Sequence, residues 1–271
     1  LNLSPAELAE GVLTVANTAM ERAVRLISVE RGHNPSDFSL LSFGGAGGLH
    51  AAHLARLLKM DTVLVPQNPG ILSAMGMLMA DVIKDYSRTI MVPFGEHEEI
   101  CKRVETELRK SGAANLHAEG FSDETIKLHT AYDMRYKGQS FELSVPASIQ
   151  IDSDFHVMHE NAYGYKDVDA EIEIVNLRIR AEGITEKPLI TARDISDKSP
   201  EQAILKYVKI GLGGNPIEVP FYESEKLKAG NKINGPAIVI RKDTTVLIGE
   251  EDTAEVDPYL NILITIGGQN G

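Results

Sequence analysis

The chain has 271 residues, of which 43% are hydrophobic, and its formal net charge is −12. This length and composition are ordinary for a globular protein of one or two domains. The acidic balance without a basic patch argues against nucleic acid and anionic membranes as partners, and no apolar run reaches transmembrane length. The single cysteine excludes an internal disulfide and suits the reducing cytoplasm.

Residues 1–92 alternate predicted helices with short apolar strands. Ser4 and Pro5 suit the N-cap and the first position of a helix, and apolar residues then recur at helical spacing. The elements predicted after this helix are strands at 39–43 and 61–66, helices from residue 49 and over 72–80, and a strand over 82–92. This alternation predicts an α/β layer with a largely parallel sheet.

Residues 93–271 change in character after one helix. That helix is predicted over 98–118, with Gly120 closing it, and Cys101 in its apolar pattern is interpreted as a small buried group. The remaining predictions are a helix at 152–163, a polar loop at 185–202, and strands at 126–136, 141–145, 171–184, 204–210, 217–222, 237–240, 245–248 and 260–266. The second part is therefore predicted to be a distinct, mainly antiparallel β subdomain.

A glycine-rich turn follows the strand at 39–43, where residues 44–48 read Gly-Gly-Ala-Gly-Gly. Glycine lacks Cβ and permits positive φ, so backbone can approach a ligand closely, and we expect Gly45 to use this freedom. The next helix directs its free N–H groups and positive dipole end at the turn. The pattern suits a nucleotide. The alternative is that the glycines only allow the strand and the helix to pack closely.

The turn fits the dinucleotide-binding pattern poorly. His50 stands where the third glycine of that pattern would fall. The next strand ends Leu64-Val65-Pro66, without an acidic residue for a ribose hydroxyl.

Two histidine pairs have the three-residue spacing of metal ligands. His50 and His53 begin the helix after the turn, without a third ligand nearby in sequence. His156 and His159 lie in the helix predicted at 152–163, next to Glu160. Both pairs are interpreted as packing or surface residues, and no metal site is predicted. His50 is the better functional candidate, because it lies within reach of a nucleotide in the turn.

Asp81 and Asp85 lie between a predicted helix and the next strand. They could make an interdomain contact or a water-mediated metal contact, or simply be solvated at the ends of these elements.

Asp133, Arg135, Tyr136 and Gln139 form the densest polar group of the β region. On a strand, Asp133 and Arg135 share a face and could pair with each other. The group could contact a substrate or a second subunit, or provide a structural salt bridge beside a tight turn.

Longer motifs occur in a fixed order along almost the whole chain. They lie at residues 23–37, 43–51, 63–66, 69–70, 72–76, 80–81, 133–143, 155–165, 173–177 and 235–239. In order and spacing these motifs resemble the hydantoinase A/5-oxoprolinase family (N-methylhydantoinase A-like). The chain departs from the family at Gly48, where proline is frequent.

The resemblance implies part of an actin-like ATPase (ribonuclease H-like) lobe at residues 1–92, followed by a mainly antiparallel β subdomain at 93–271. In that fold the glycine turn contacts the adenosine of ATP, and small residues of the helix at 72–80 pack at the interdomain hinge. The residues assigned to the cofactor are Gly44, Gly45, Ala46, Gly47, Gly48 and His50.

The resemblance also implies hydrolysis of a small cyclic amide, activated by ATP-dependent phosphorylation, together with a second, B-type subunit. Alternatives are the corresponding subunit of an acetone-type carboxylase, or a non-catalytic scaffold that docks the partner subunit. The chain opens at Leu1 and lacks an Asp-x-Gly-Gly-Thr phosphate hairpin. We therefore expect a C-terminal fragment that is inactive alone, whose Mg²⁺ site lies mostly elsewhere, and that can form homo-oligomers. No catalytic residue is assigned.

Overall fold

The computed structural model describes residues 4–197, 199–212 and 215–268. By internal contacts the chain divides into two compact units, the first formed by residues 1–78 with 189–271 and the second by 79–188. Both combine helices with sheets rich in antiparallel pairs, which confirms the mixed α/β class. The domain boundary between residues 92 and 93 stays a prediction, and it falls within the second unit.

The first unit begins with helix α1 (Pro5–Ser28), which has a complete capping box. The Ser4 N–H donates to Glu7 Oε2 at 2.7 Å, and the Glu7 N–H donates to Ser4 Oγ at 3.3 Å. Both bonds satisfy N–H groups that a helix start leaves free, so the start is fixed locally, as the sequence predicts. Of the described residues of α1, Asn17 alone is buried.

A β–α–β segment follows, made of β1 (Leu40–Leu41), α2 (Gly47–Leu58) and β2 (Thr62–Val65). The strands are parallel, with Leu40 opposite Val63. The buried face of α2 consists of small and aliphatic residues at helical spacing: Gly48, Ala51, Ala52, Leu54, Ala55 and Leu58.

Three C-terminal strands complete the sheet that β1 and β2 begin. They are β9 (Lys232–Asn234), β12 (Thr253–Val256) and β13 (Ile262–Thr265), and the order is β1-β2-β13-β12-β9. The predicted largely parallel sheet is wrong, because β1–β2 is the one parallel pair among these described strands. The C-terminal strands were predicted to form a separate subdomain. Instead, β13 pairs with the N-terminal strand β2 in one sheet. Pairing with β13 satisfies the backbone groups along the second edge of β2.

The second sheet of this unit has the order β11-β10-β8-β7. Its strands are β7 (Ile204–Leu212), β8 (Asn215–Glu223), β10 (Ala237–Ile240) and β11 (Thr245–Ile248). One hydrophobic core includes residues of α2 and of both sheets. Val63, Val239, Val246 and Ile264 are fully buried in it.

The second unit is an antiparallel sheet packed against two helices. Its strands are β3 (Val82–Pro93), β4 (Ile126–Tyr136), β5 (Leu143–Pro146) and β6 (Ile172–Gly183), in the order β3-β6-β4-β5. Helices α4 (Glu98–Ala118) and α5 (Ile151–Tyr163) contribute to its core.

Cys101 lies on the face of α4 that packs into this core and is 1% exposed. Burial raises the pKa of its thiol to about 11, so the thiol is protonated at neutral pH and has little thiolate character. Its interpretation as a small buried group is confirmed.

Helix α3 (Leu72–Met79) has an open surface. Met77 and Leu78 are 80% and 79% exposed, and no described atom outside the local helix backbone lies within 4 Å of a Cβ placed on Gly76. The small residues Ser73, Ala74 and Gly76 of α3 are likewise exposed. Among the described residues, no helix is both long and apolar enough to cross a membrane.

We expect the chain to self-associate through this exposed surface, because contiguous apolar patches favour association. Replacing both Met77 and Leu78 with glutamine should lower the weight-average mass in sedimentation equilibrium at high protein concentration. The control is Ile149→Gln, at a fully exposed residue, which should leave the mass unchanged. A monomeric unmodified chain, or equal masses for all three proteins, would refute this expectation.

Candidate functional site

The glycine turn is held by backbone hydrogen bonds at its entrance. The Ser42 N–H donates to the Leu64 carbonyl at 2.9 Å, and the Gly44 N–H donates to the Pro69 carbonyl at 2.7 Å. The residue with positive φ is Gly44, at +89°, and Gly45 does not adopt such a conformation. The expectation for Gly45 is therefore wrong, because the bond to Pro69 places the reversal one residue earlier.

Gly44 and Gly45 leave open space at the tip of the turn. No described atom lies within 4 Å of a Cβ placed on Gly44. At Gly45 the one described atom within that distance is the Asp243 carbonyl oxygen, at 3.6 Å. Gly45 and Ala46 are exposed, so the backbone here is accessible to a ligand.

Gly47 and Gly48 serve close packing instead. A Cβ on Gly47 would lie 2.9 Å from Ser42 Oγ, and one on Gly48 would lie 2.7 Å from the Thr245 carbonyl oxygen. The Gly48 position also lies 3.0 Å from Val246 Cγ2. The close-packing alternative therefore applies to Gly47 and Gly48, whereas a nucleotide role of Gly44 and Gly45 stays a prediction.

The first turn of α2 borders the open tip. No described side chain caps this helix, whose N-cap residue is Ala46. The N–H groups of a first helical turn lack partners within the helix and carry partial positive charge. The Leu49 N–H already donates to the Ala46 carbonyl at 3.2 Å, and the positive dipole end of α2 faces the turn.

A cavity of about 380 Å³ lies beside the turn. Its lining combines apolar and polar side chains from several chain segments: Gln67, Asn68, Ile71, Ser224, Glu225, Leu227, Arg241, Lys242, Asp243, Val256, Leu260 and Ile262. The cavity was not predictable from the sequence, because its walls come from residues far apart in the chain.

Asp243 connects the cavity wall to the turn. Its Oδ2 accepts a hydrogen bond from the Gly70 N–H at 2.7 Å. The next residue, Thr244, donates through Oγ1 to the Gly45 carbonyl at 2.9 Å. The segment between β10 and β11 therefore fixes the position of the glycine turn.

Arg241 reinforces the same wall from within. Its guanidinium donates to the carbonyls of Pro66 and Leu260, both at 3.1 Å, and to that of Gln67. Burial lowers the pKa of this guanidinium from its ordinary value. Arg241, which follows β10, thus holds the loop after β2 and the segment before β13 in place through hydrogen bonds.

The two histidine pairs singled out in the sequence differ in burial and in hydrogen-bond partners. His50 is half-buried, with Nδ1 2.8 Å from Asn17 Oδ1 of α1, and His53 is exposed. His156 Nδ1 lies 2.7 Å from the Tyr136 hydroxyl, and His159 is 1% exposed. Among the described residues, no group of three or more His, Cys, Asp or Glu side chains could hold a metal ion.

Asp133 and Arg135 each pair across to β6 rather than with each other, which corrects the predicted pair. Asp133 accepts from Arg178 Nε at 2.7 Å and from Asn176 Nδ2 at 2.9 Å, while Arg135 donates to Glu173 at 3.1 Å. Asn176 and Glu173 lie directly opposite Asp133 and Arg135, and such residues are closer than residues two apart on one strand. Arg178 lies opposite Ala131 and reaches Asp133 diagonally.

Asp81 and Asp85 are both engaged by basic residues of their own unit. Asp81 accepts from Lys187 Nζ at 2.6 Å, which lowers its pKa, with further help from the Thr185 N–H. Asp85 accepts two bonds from Arg180, at 2.8 and 3.1 Å, and its pKa is lowered by that guanidinium. Both carboxylates therefore have basic side chains of the same unit as hydrogen-bonding partners.

Two family models match this chain. A hydantoinase/oxoprolinase model matches residues 1–86, and a hydantoinase/oxoprolinase C-terminal domain model matches residues 94–263. The chain belongs to the hydantoinase/oxoprolinase family, and the resemblance noted in the sequence is confirmed.

Individual relatives give more detail. The chain is 36% identical over 93% of its length to an uncharacterized protein of Methanocaldococcus jannaschii, and 31% identical over 98% to 5-oxoprolinase 1 of Arabidopsis thaliana. It is 27% identical over 98% of its length to caprolactamase subunit alpha of Pseudomonas jessenii. The chain spans 37%, 21% and 40% of these three relatives, respectively.

Two solved structures resemble the fold. A nucleotide-free acetone carboxylase matches 94% of this chain with a TM-score of 0.84 at 21% identity, and the match covers 39% of that chain. The ATP-dependent caprolactamase of Pseudomonas jessenii matches 96% of this chain with a TM-score of 0.69 at 25% identity, covering 40% of that chain.

Proposed function

We propose that this chain provides the adenosine side of an ATP site in an enzyme that hydrolyses a small cyclic amide. The observation that carries the proposal is the open tip of the glycine turn at Gly44 and Gly45, joined through Asp243 to a cavity. Two relatives support the substrate class, since 5-oxoproline and caprolactam are both cyclic amides. The use of ATP is supported by the caprolactamase of Pseudomonas jessenii, which is ATP-dependent.

The residues around the turn fit an adenosine group. The apolar part of the cavity, which includes Leu227, Val256 and Ile262, suits the faces of a planar base. The amides of Gln67 and Asn68 suit its polar edge and a ribose. ATP would supply the phosphoryl group that activates the amide oxygen, while this chain binds and orients the nucleoside.

Mg²⁺ is not assigned to residues of this chain. The described part contains no cluster of three or more candidate ligands. In the proposed enzyme, the metal and the phosphates are held mostly by residues outside this chain. A second subunit as partner is supported by the relative from Pseudomonas jessenii, which is the alpha subunit of its enzyme.

An acetone-type carboxylase subunit is the second enzymatic candidate. The acetone carboxylase structure matches this chain with a TM-score of 0.84. At 21% identity, that likeness concerns the fold alone. The scaffold candidate, in which this region only docks a partner subunit, differs from both enzymes in requiring no nucleotide binding at the turn.

In the complete enzyme, Gly45→Val is expected to weaken ATP binding at least about tenfold, or about 1.4 kcal/mol. Gly45 lacks positive φ and a Cβ there meets only ordinary contact, so the variant should fold while its side chain fills the open tip. Calorimetric titration with a non-hydrolysable ATP analogue gives the affinity. The control is Gly95→Val, also at an open position. Unchanged affinity in a folded Gly45→Val protein would favour the scaffold candidate.

The 271-residue chain alone is expected not to hydrolyse ATP. Phosphoryl transfer depends on positioning and charge neutralisation around the phosphates and Mg²⁺, and this chain contributes only the nucleoside side. The measurement is Mg²⁺-dependent phosphate release from the purified chain, with a heat-denatured sample as control. Release well above that control would contradict the division of the site.

A further inference from the structure

A surface pocket with three exposed aromatic rings lies at the turn between β4 and β5. We call it the aromatic pocket, and its volume is about 400 Å³. It is lined by Gly138, Gln139, Ser140, Phe141, Tyr163 and Tyr165. It combines two sequence motifs, at residues 133–143 and 155–165, that the proposed ATP site does not use.

Hydrogen bonds hold the pocket in shape. Gln139 Oε1 accepts from the Tyr136 N–H at 3.3 Å, and Gln139 Nε2 donates to the Tyr165 hydroxyl at 3.0 Å. His159 Nδ1 lies 2.9 Å from the Tyr165 carbonyl oxygen, so this nitrogen carries the proton. In the neutral ring, His159 Nε2 then accepts the second amide hydrogen of Gln139, at 3.2 Å.

The same histidine orients two of the three rings. Its ring centroid lies 4.7 Å from that of Tyr163 and 4.8 Å from that of Tyr165. These tyrosines are 48% and 51% exposed, and Phe141 is 76% exposed without a ring contact among the described residues. Fixed, exposed aromatic side chains lose little entropy on binding and are typical anchors of protein interfaces.

The charges near the pocket favour a cation. Lys137 and Lys166 are neutralised by Glu171 and Glu160, at 2.6 and 2.8 Å. Three acidic residues within or just after the pocket motifs have no ion-pair partner in the described part of the chain: Glu142, Asp167 and Asp169. The aromatic faces themselves carry negative electrostatic potential, which attracts cations.

We propose that the aromatic pocket binds an arginine side chain of a partner polypeptide. A planar guanidinium stacks on aromatic faces and donates up to five hydrogen bonds, for which the hydroxyls of Ser140 and Tyr165 are acceptors. The pocket is open at Phe141, so it suits a side chain presented by a second protein. This inference does not depend on the proposed ATP site.

The test is an NMR titration of the 271-residue chain, labelled on Phe and Tyr, with the capped tripeptide Gly-Arg-Gly. We expect saturable shifts of Phe141, Tyr163 and Tyr165, with binding at least fivefold weaker for the neutral citrulline tripeptide. Free L-arginine should also bind more weakly, because it lacks the flanking peptide groups of a polypeptide. Equal binding of arginine and citrulline peptides would overturn the cation assignment, and tighter binding of free arginine would overturn the polypeptide assignment.

Two variants make the test specific. Phe141→Leu, at an exposed position, should keep the fold by circular dichroism and weaken peptide binding at least fivefold. Tyr207→Leu removes an aromatic ring that is 59% exposed outside the pocket, and should leave binding unchanged. Unchanged binding in Phe141→Leu, or no saturable shift in the unmodified chain, would refute the proposal.

Discussion

Replacing Asp252 with alanine is expected to lower the free energy of unfolding by about 2–4 kcal/mol. The Asp252 carboxylate is fully buried and accepts three hydrogen bonds. They come from Arg56 Nη2 at 2.5 Å and from the N–H groups of Gly249 and Gly267, both at 3.0 Å. Alanine would leave the part-buried N–H groups of Gly249 and Gly267 without their acceptor, which is costly. Arg56 is 39% exposed, so water can solvate its guanidinium.

Urea denaturation followed by circular dichroism measures this effect. The matched control is Glu255→Ala, because Glu255 pairs with Lys232 at 3.6 Å and both side chains are at least half exposed. That exposed pair should contribute at most about 1 kcal/mol. Similar denaturation midpoints for the two variants would show that the Asp252 network contributes far less than its burial implies.

Replacing Gly48 with alanine is expected to cost about 1–3 kcal/mol of stability, because it overfills a closely packed site. The new Cβ would lie 2.7 Å from the backbone oxygen of Thr245, which cannot move as a flexible side-chain end could. Either α2 or β11 would have to shift.

The control for Gly48 uses the same chemical change at an open helical site. No described atom outside the local helix backbone lies within 4 Å of a Cβ on Gly11, which lies inside α1. Gly11→Ala should therefore stabilise the chain by about 0.4–1 kcal/mol. The two variants should shift the thermal midpoint in opposite directions. A shift of the same sign would contradict the packing role assigned to Gly48.

Elements with local signals were predictable from the sequence. The bounds of α4 (Glu98–Ala118) and β4 (Ile126–Tyr136) agree with prediction. The start of α1 was predicted from Ser4 and Pro5, which are adjacent in the chain, and the structure adds Glu7 as the partner of Ser4. Capping and periodicity act over a few residues, so a single sequence contains the information they need.

Long-range pairing was not predictable in the same way. The short strands β9 and β12 were missed, because each contains only one β-branched aliphatic residue, whereas the equally short β10 and β11 are aliphatic runs. The pairing of β13 with β2 joins opposite parts of the chain, and an apolar alternation does not specify its partner strand.

The candidate site was predictable only in part. The glycine turn was identified, but the position of positive φ depends on the bond from Gly44 to Pro69. Arg241 and Asp243 reach the site from between two late strands, and no local motif connects them with the turn. The role of each glycine likewise depends on what packs against it.

Photolabelling of the complete enzyme with 8-azido-ATP tests the proposed adenosine site most directly. The reactive azide is on the adenine, so peptide mass spectrometry of the labelled protein reports which residues surround the base. We predict ATP-protectable label in residues 43–48, 67–71, 224–227, 241–243 or 256–262, and loss of that label in Gly45→Val. Label that ATP protects but that lies outside these five segments would contradict the proposed site.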